Sequence, residues 1–259
     1  TEITLQPIRR FKFDAAIIFS DILMLPHGLG QEVKFEKGLG PKLGELNLEL
    51  IANVNKDEFS KKLNPVYNSI SNISSNIVCK NKDIIGFVGA PWTILVYMIN
   101  RMSPKNSLSK EIFNDKLFIE DLLSLIEKFL KIHIENQIKA GADVVQIFDS
   151  WAGLIPDANI NEYCFVPNSK IVEFCKKNEI PTICFPKGIK KRYEEFNQTV
   201  KPDGINIDYD LDPLWVKKKL KNVVIQGGLN PKALLNSEEE MIREATKYIK
   251  IFKDIPYIF

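Results

Sequence analysis

The chain has 259 residues, 45% of them hydrophobic, and a formal net charge of +2 at pH 7. This length is typical of one α/β domain with a large core, so we expect residues 1–259 to form a single domain. The nearly balanced charge gives no electrostatic basis for binding nucleic acid or anionic lipid. No apolar stretch approaches the roughly 18 residues that cross a membrane, and no signal-peptide pattern is present, so we expect a cytoplasmic protein with no membrane partner.

Short apolar segments that end in polar or glycine residues recur along the chain and predict β-strands. Apolar residues on both alternating faces indicate strands buried on both sides, as in a parallel sheet covered by helices. Counting an incomplete segment at the end, the sequence predicts seven strands: 14–21, 83–88, 143–148, 182–185, 204–207, 223–225 and 257–259.

The segments between these strands have apolar residues at helical spacing. In 113–139 they recur every three or four residues, and Gly141 is a typical residue to end such a helix. Helices are also predicted at 168–177, at 213–219 and at 237–252, where the first four residues (SEEE) form a capping-box pattern.

The alternation of strands and helices predicts βα units with right-handed crossovers. Seven strands are one fewer than a (β/α)8 barrel contains, and polar residues gather where the strands end, as in the active sites of such barrels. We therefore expect a TIM barrel whose first strand is missing and whose last strand is truncated in this chain. A doubly wound open sheet is the alternative, although no Gly-x-Gly-x-x-Gly turn follows an early strand.

Asp21 ends the first predicted strand, and no Lys or Arg occurs between it and Lys34. Burying an ionised carboxylate is costly unless the charge is paired. Such an acid either meets a distant basic residue, caps a helix, or accepts hydrogen bonds from a ligand rich in N–H donors.

Neither a disulfide framework nor a metal site is predicted. The two histidines, His27 and His133, have no cysteine at ligand spacing, whereas zinc needs three or four converging ligands. The spacing indicates reduced thiols for all four cysteines: Cys79, Cys164, Cys175 and Cys184.

Four segments together resemble the uroporphyrinogen decarboxylase family. They are residues 4–11 (TLQPIRRF) leading to 15–23 (AAIIFSDIL), residues 86–93 (GFVGAPWT), residues 148–153 (FDSWAG) and residues 226–231 (QGGLNP). The resemblance spans nearly the whole chain in the right order. It implies a homodimeric (β/α)8 barrel without a cofactor, which converts the four acetate side chains of uroporphyrinogen III to methyl groups. The product is coproporphyrinogen III, in haem synthesis.

Within that reaction the resemblance implies that Asp21 is the main electrostatic group. A carboxylate offers about four lone-pair sites, so it can hold the four pyrrole N–H groups of a puckered porphyrinogen from beneath. Protonation of a pyrrole carbon spreads positive charge onto nitrogen. A fixed anion in an apolar cavity stabilises that charge more than water does.

The resemblance also implies which residues bind the substrate. Tyr97 and Ser150 are the hydroxyl donors to substrate carboxylates, and Phe19, Ile17 and Ile22 line an apolar floor. By residue type alone, Tyr97 is equally a candidate core residue and Ser150 a candidate cap.

Three features of the family differ in this chain. Gly228 stands where the family has Asn, so Gly227 and Gly228 either let the backbone approach the ligand or form a tight turn. The family's Arg-Gln-Ala-Gly-Arg segment, which clamps substrate carboxylates, would precede Thr1, and its Gly-His-Gly motif would follow Phe259. We therefore expect this chain to be an internal fragment of the family sequence.

Three rival functions remain open on the sequence. Related barrels transfer methyl groups with a zinc ion held by His and Cys, ligands that this chain lacks at suitable spacing. Lys187 at a strand end could form a Schiff base in an aldolase, or could contact a substrate carboxylate or simply be solvated. A degenerate barrel that binds a tetrapyrrole without activity is the third.

Overall fold

The computed structural model describes residues 1–18, 20–38, 40–104, 108, 113 and 115–259, and its strands form a parallel sheet and a hairpin. The described strands are β1 (Ala15–Ile17), β2 (Val33–Glu36), β3 (Gly40–Leu43), β4 (Asp83–Gly89), β5 (Val144–Asp149), β6 (Thr182–Pro186), β7 (Gly204–Ile207), β8 (Val224–Gly227) and β9 (Tyr257–Ile258). The described α-helices are α1 (Glu2–Phe11), α2 (Met24–Gly28), α3 (Leu48–Ala52), α4 (Lys56–Ser74), α5 (Pro91–Asn100), α6 (Lys116–Lys139), α7 (Val166–Lys177), α8 (Tyr193–Val200), α9 (Pro213–Lys219) and α10 (Glu238–Phe252).

The seven strands of the main sheet pair in parallel in the order β1-β4-β5-β6-β7-β8-β9. Each predicted strand is confirmed as a member of this sheet. The order follows the chain without reversing, which contradicts the doubly wound alternative, because that fold has a point where the strand order changes direction. The protein therefore has an α/β fold with a curled parallel sheet, whose described edges are β1 and β9.

The first strand is shorter than the sequence predicts. A strand is expected over 14–21, but β1 ends at Ile17, and the Ile18 backbone N–H donates one more hydrogen bond to Ile85 O at 2.9 Å. The Asp21 side chain then accepts a hydrogen bond from the Leu23 backbone N–H at 2.7 Å. This local bond turns the chain towards α2, because Asp side chains compete with strand hydrogen bonding in this way.

Side-chain caps set the beginnings of two long helices. Asp115 accepts from the Phe118 backbone N–H at 3.0 Å, so α6 begins at Lys116 rather than at residue 113. Ser237 accepts from the Glu240 backbone N–H at 3.3 Å, which confirms the predicted cap of α10. The predicted helix 213–219 coincides with α9.

The sequence analysis does not predict the antiparallel hairpin of β2 and β3, which packs against the end of α5. The Leu43 backbone N–H donates to Arg101 O at 2.7 Å. The Gln31 side-chain amide donates to Gly44 O and to Met98 O, each at 3.0 Å. These bonds attach the hairpin to the helix that carries Tyr97.

Apolar side chains between the sheet and the helices form the main core. Its largest fully buried side chains include Trp92, Phe59, Phe129, Phe165 and Phe196. All four cysteines are buried free thiols. Among the described helices, none is both long and apolar enough to cross a bilayer.

His133 is buried in this core between α4 and α6. It is 3% exposed, and its Nδ1 lies 3.0 Å from the Tyr67 hydroxyl. Its ring also meets the Phe59 ring edge-on, with the centroids 6.5 Å apart. Burial lowers the pKa of His133 from 6.5 to about 4 and raises the pKa of Tyr67 to about 12. His133 is therefore a neutral core residue at pH 7.

We predict that His133 makes the fold less stable in acid. Because its folded pKa is depressed, the unfolded chain binds more protons between pH 6.5 and about 4, so the free energy of unfolding falls as the pH falls through this range. The loss from this group is expected to reach about 3 kcal/mol. Urea titrations of wild type and His133→Gln at several pH values measure it.

The pH dependence of unfolding should be flatter in His133→Gln than in wild type. The same change at the exposed His27 (His27→Gln) is the matched control and should leave the wild-type dependence in place. Parallel curves for wild type and His133→Gln would contradict the assignment.

Candidate active site

The candidate site lies where the loops after β1, β4 and β5 meet, at the C-terminal ends of these strands. A Cβ atom added to Gly89, the last residue of β4, would lie 3.2 Å from Ile22 Cβ and 2.9 Å from Ile94 Cγ1. The Ala90 backbone N–H donates to Phe148 O at 2.8 Å, which places the start of α5 beside the end of β5. The loop after β1 therefore packs directly on the end of β4, where only glycine fits.

Asp21 lies half-buried in the loop after β1. Among the described residues, its carboxylate accepts one hydrogen bond, from the Leu23 backbone N–H, and no described Lys or Arg forms an ion pair with it. Burial raises the pKa of the Asp21 carboxyl, and the hydrogen bond from Leu23 opposes this effect. Because a carboxylate can accept about four hydrogen bonds, Asp21 keeps acceptor capacity for a ligand with N–H donors.

Trp151 links Tyr97 to Ser150, because it follows Ser150 in the chain and its ring packs against the Tyr97 ring. Ser150 directly follows β5 and is half-buried, whereas Tyr97 lies in α5 and is 7% exposed. The Tyr97 and Trp151 ring centroids are 5.9 Å apart, and the Tyr97 hydroxyl lies 3.0 Å from Ser103 Oγ. In the described part of the chain, Asp21 forms no hydrogen bond with either hydroxyl.

Asp149, the last residue of β5, is a buried carboxylate that the sequence analysis does not single out. It is 1% exposed and accepts hydrogen bonds from Thr93 Oγ1 at 2.7 Å and Asn168 Nδ2 at 3.0 Å. Thr93 Oγ1 in turn accepts from the Trp151 backbone N–H at 3.1 Å. Burial raises the pKa of Asp149 to about 6, against the lowering effect of its hydrogen bonds. The available sequence signal was an acid at the end of an apolar strand, the same pattern that drew attention to Asp21.

Aromatic rings lie on the face of the sheet that points away from the helices. On the helix-facing side, a Cβ atom on Gly86 would collide with Gln137 of α6. On the other side, Phe87, Phe148 and Phe185 are half-exposed and pack edge to face, with successive ring centroids 5.5 Å and 6.3 Å apart. These three rings, which the sequence analysis missed, form an apolar surface next to the strand ends.

The predicted floor residues occupy different places. Ile17 pairs in register with Ile85 on β4, so it shares the face of the aromatic rings, and it is 52% exposed. Ile22 is half-buried against Gly89 at the end of β4. Phe19 lies outside the described residues.

Amide side chains and a glycine turn lie beside the aromatic surface. Gln226 Oε1 accepts from Gln146 Nε2 and from Asn206 Nδ2, each at 2.9 Å. Gly227 and Gly228 have φ values of +73° and +94°, which glycine adopts without strain. A Cβ atom on Gly228 would lie 2.9 Å from a side chain of β7, so the pair forms a tight turn packed on the core.

The loops after β5 and β6 touch through their backbones. The Lys187 N–H donates to Asp149 O at 3.1 Å, and the Gly188 N–H donates to Asp208 Oδ2 at 2.7 Å. A Cβ atom on Gly153 would lie 2.7 Å from Gly188 O. A cavity of about 580 Å³ opens beside these loops and is lined by Gly153, Ile155, Asp157, Ile160 and residues 188–192. The Lys187 side chain is exposed, so its amine is not desolvated as a Schiff-base lysine would require.

The site has an anion that no described cation pairs with, at the C-terminal ends of the strands. An anion that is partly removed from water stabilises a nearby cation more than it would in water. The hydroxyls of Ser150, which follows β5, and of Tyr97, in α5, can donate to carboxylates without adding charge. Among the described residues, no group of three His, Cys, Asp or Glu side chains converges as a metal site would.

Two solved structures share this architecture. A methyltransferase from Methanosarcina mazei aligns with a TM-score of 0.71 and 14% identity, covering 99% of this chain and 77% of that one. A B12-independent methionine synthase from Shewanella aligns with a TM-score of 0.55 and 10% identity, covering 99% and 78%. At these identities the likeness shows the fold alone.

Sequence comparison identifies nearer relatives. The uroporphyrinogen decarboxylase of Orientia tsutsugamushi strain Ikeda is 41% identical over 248 residues, covering 94% of this chain and 72% of that protein. That of Rickettsia bellii is 39% identical over 264 residues, covering 100% and 77%, and that of Mesorhizobium japonicum is 36% identical over 262 residues, covering 100% and 76%. The family model for uroporphyrinogen decarboxylase (URO-D) matches residues 1–259. The chain belongs to the uroporphyrinogen decarboxylase family, a family of carboxy-lyases in porphyrin synthesis.

Proposed function

We propose that this chain removes the four acetate carboxyl groups of uroporphyrinogen III as CO2, giving coproporphyrinogen III without a cofactor. Family membership supports decarboxylation in tetrapyrrole synthesis. The observation that carries the assignment of Asp21 is a half-buried carboxylate without a cationic partner in the described chain, in the loop after β1 that packs on the end of β4. Asp21 accepts hydrogen bonds from the pyrrole N–H groups and remains ionised throughout the reaction.

The charge of Asp21 acts on a cationic intermediate. A proton adds to a pyrrole carbon next to the acetate-bearing carbon, and the positive charge spreads onto the ring nitrogen. The bond between the acetate methylene and its carboxylate then breaks, CO2 leaves, and the released electron pair neutralises the ring. A second proton converts the exocyclic methylene to a methyl group as the first proton leaves the ring. A fixed anion lowers the energy of the cation without having to reorganise.

The remaining predicted residues hold the substrate. Tyr97 and Ser150 donate hydrogen bonds to substrate carboxylates, and the packing of Tyr97 on Trp151, the chain neighbour of Ser150, supports a shared subsite. Ile17 and Ile22, together with Phe19, provide apolar contacts to the macrocycle. The exposed apolar surface of Ile17 supports that role for one of the three.

The proposal also includes a fold and an oligomeric state for this chain. Seven parallel strands in chain order support a single (β/α)8-barrel domain over 1–259. The homodimer implied by the sequence resemblance stays a prediction, which light scattering after size-exclusion chromatography tests. The likeness to methyltransferases concerns the fold, and no described residue pattern favours methyl transfer as a second function.

We predict that Asp21→Asn lowers turnover by about 10²- to 10³-fold while the fold survives, because it keeps the shape of the side chain and removes its charge. The measurement is coproporphyrinogen formation from freshly reduced uroporphyrinogen, with circular dichroism as the check on folding. Asp14→Asn, at an exposed acid before β1, is the matched control and should retain wild-type turnover. A near-normal rate for Asp21→Asn would refute the proposed mechanism.

The acid limb of the rate profile gives a second test. Protonation removes the charge of Asp21, and burial raises the pKa of this carboxyl, so kcat/KM should fall with decreasing pH at a pKa above that of an ordinary Asp. Substrate carboxylates also titrate in acid, so the pH profile of wild type is compared with the profiles of Asp21→Asn and Asp14→Asn. The residual activity of Asp21→Asn should lack this limb, whereas Asp14→Asn should keep it. An identical limb in all three proteins would exclude Asp21 as its source.

Tyr97→Phe should raise KM and lower kcat less than Asp21→Asn does. It removes one neutral hydrogen bond to the substrate but keeps the ring against Trp151. The control is Tyr209→Phe, at an exposed tyrosine that follows β7. Steady-state kinetics measure KM and kcat for both variants. An unchanged KM in Tyr97→Phe would show that Tyr97 does not bind the substrate.

A further inference from the structure

Asp149 carries a buried carboxylate that packing alone does not explain. Both of its oxygens accept hydrogen bonds from neutral donors, Thr93 Oγ1 and Asn168 Nδ2, and no described cation pairs with it. Moving a carboxylate out of water is costly when no positive charge compensates. The buried Thr93 and Asn168 side chains both donate to this carboxylate, so its role lies in the groups that it holds in place.

The hydrogen bonds of Asp149 fix the chain on both sides of Ser150. The single proton of the Thr93 hydroxyl goes to Asp149, so the oxygen lone pairs are free to accept the Trp151 backbone N–H at 3.1 Å. Asp149 and Trp151 are the two neighbours of Ser150 in the chain. One hydroxyl group therefore attaches both of them to α5.

The same contacts reach Tyr97. Thr93 and Tyr97 are four residues apart in α5, so they lie on one face of that helix. The Trp151 ring packs against the Tyr97 ring, and the Trp92 indole N–H donates to Trp151 O at 3.3 Å. On the other side, Asn168 Nδ2 also donates to the Cys164 backbone O at 2.9 Å, which ties the network to α7 and the turn before it.

We propose that Asp149, Thr93 and Asn168 form a positioning network that orients the hydroxyls of Ser150 and Tyr97 towards the substrate carboxylates. The proposal rests on the proposed function, because that function makes these two hydroxyls substrate ligands. The three residues act through their neighbours. Asp149 follows Phe148 in β5, and successive side chains of a strand point to opposite faces of the sheet. The Asp149 side chain therefore faces the helices, whereas Phe148 belongs to the aromatic surface.

Thr93→Val tests the network, because it keeps the shape of the side chain and removes the hydroxyl. We expect kcat/KM for uroporphyrinogen to fall about ten- to hundred-fold, chiefly through a higher KM, since misplaced binding groups weaken the ground state and transition state alike. Thr93→Ser keeps the hydroxyl and should restore most of this loss. Thr199→Val, at an exposed threonine in α8, is the matched control and should behave as wild type.

Asp149→Asn is the second variant, and it should raise KM in the same way. It replaces one acceptor oxygen by an NH2 group, which cannot accept from Thr93 or Asn168 as the carboxylate does. A merely structural network would lower the melting temperature of these variants without changing KM. Unchanged KM and kcat in Thr93→Val, with active wild type, would overturn the proposal and leave the proposed function standing.

Hydrogen exchange of the peptide containing residues 149–154 gives a readout independent of catalysis. We expect faster exchange at this peptide in Thr93→Val than in wild type or Thr199→Val. If wild type fails to decarboxylate, the proposed function fails. Equal exchange rates in wild type and Thr93→Val would overturn the network whether or not wild type decarboxylates.

Discussion

The site depends on the cost of holding a carboxylate out of water without a neighbouring cation. Asp149 is fully buried, and neutral donors, Thr93 and Asn168 among them, satisfy its carboxylate, so its hydrogen-bonding capacity is directed at the protein. Asp21 is only half-buried and receives one backbone hydrogen bond, so most of its capacity is left for a ligand. Asp21 follows β1 and Asp149 ends β5, two strands that β4 separates in the sheet, and the surroundings of the two acids differ. In the proposed function, Asp149 positions the binding groups and Asp21 supplies the charge for the reaction.

The sheet separates these tasks by the alternation of side chains along a strand. Asp149 points to the helices, where Thr93 and Asn168 lie, whereas Phe148 points to the other face with Phe185 beside it. Aromatic rings lower the local polarity and strengthen any electrostatic interaction near them. The alternation of side chains along β5 therefore places the polar network on the helix-facing side of the sheet and the apolar surface on the other side. In the proposed mechanism, this division lets the frame behind the sheet stay fixed while a charge acts on the substrate in front of it.

Close backbone contacts keep the loops of the site in place. Ile22 packs where Gly89 has no side chain, and Gly153 lies against the backbone of Gly188. At both positions a Cβ atom would force the loops apart. The Asp208 carboxylate accepts a hydrogen bond from the Gly188 backbone N–H and another from the Tyr193 hydroxyl at 3.1 Å. Loops fixed in this way can hold binding groups within the small tolerances that catalysis requires.

By itself the sequence determined the α/β class, the strand positions and the family, because apolar runs with polar ends and family motifs are local patterns. It did not predict the hairpin of β2 and β3, whose short, partly exposed strands lack a clear alternation. Only the tertiary structure decided the network of Asp149, since Thr93 is 56 positions away in the chain. The aromatic surface likewise requires the sheet register that sets Phe148 beside Phe185. Contacts at such separations depend on how whole strands and helices pack, and no local pattern in one sequence specifies them.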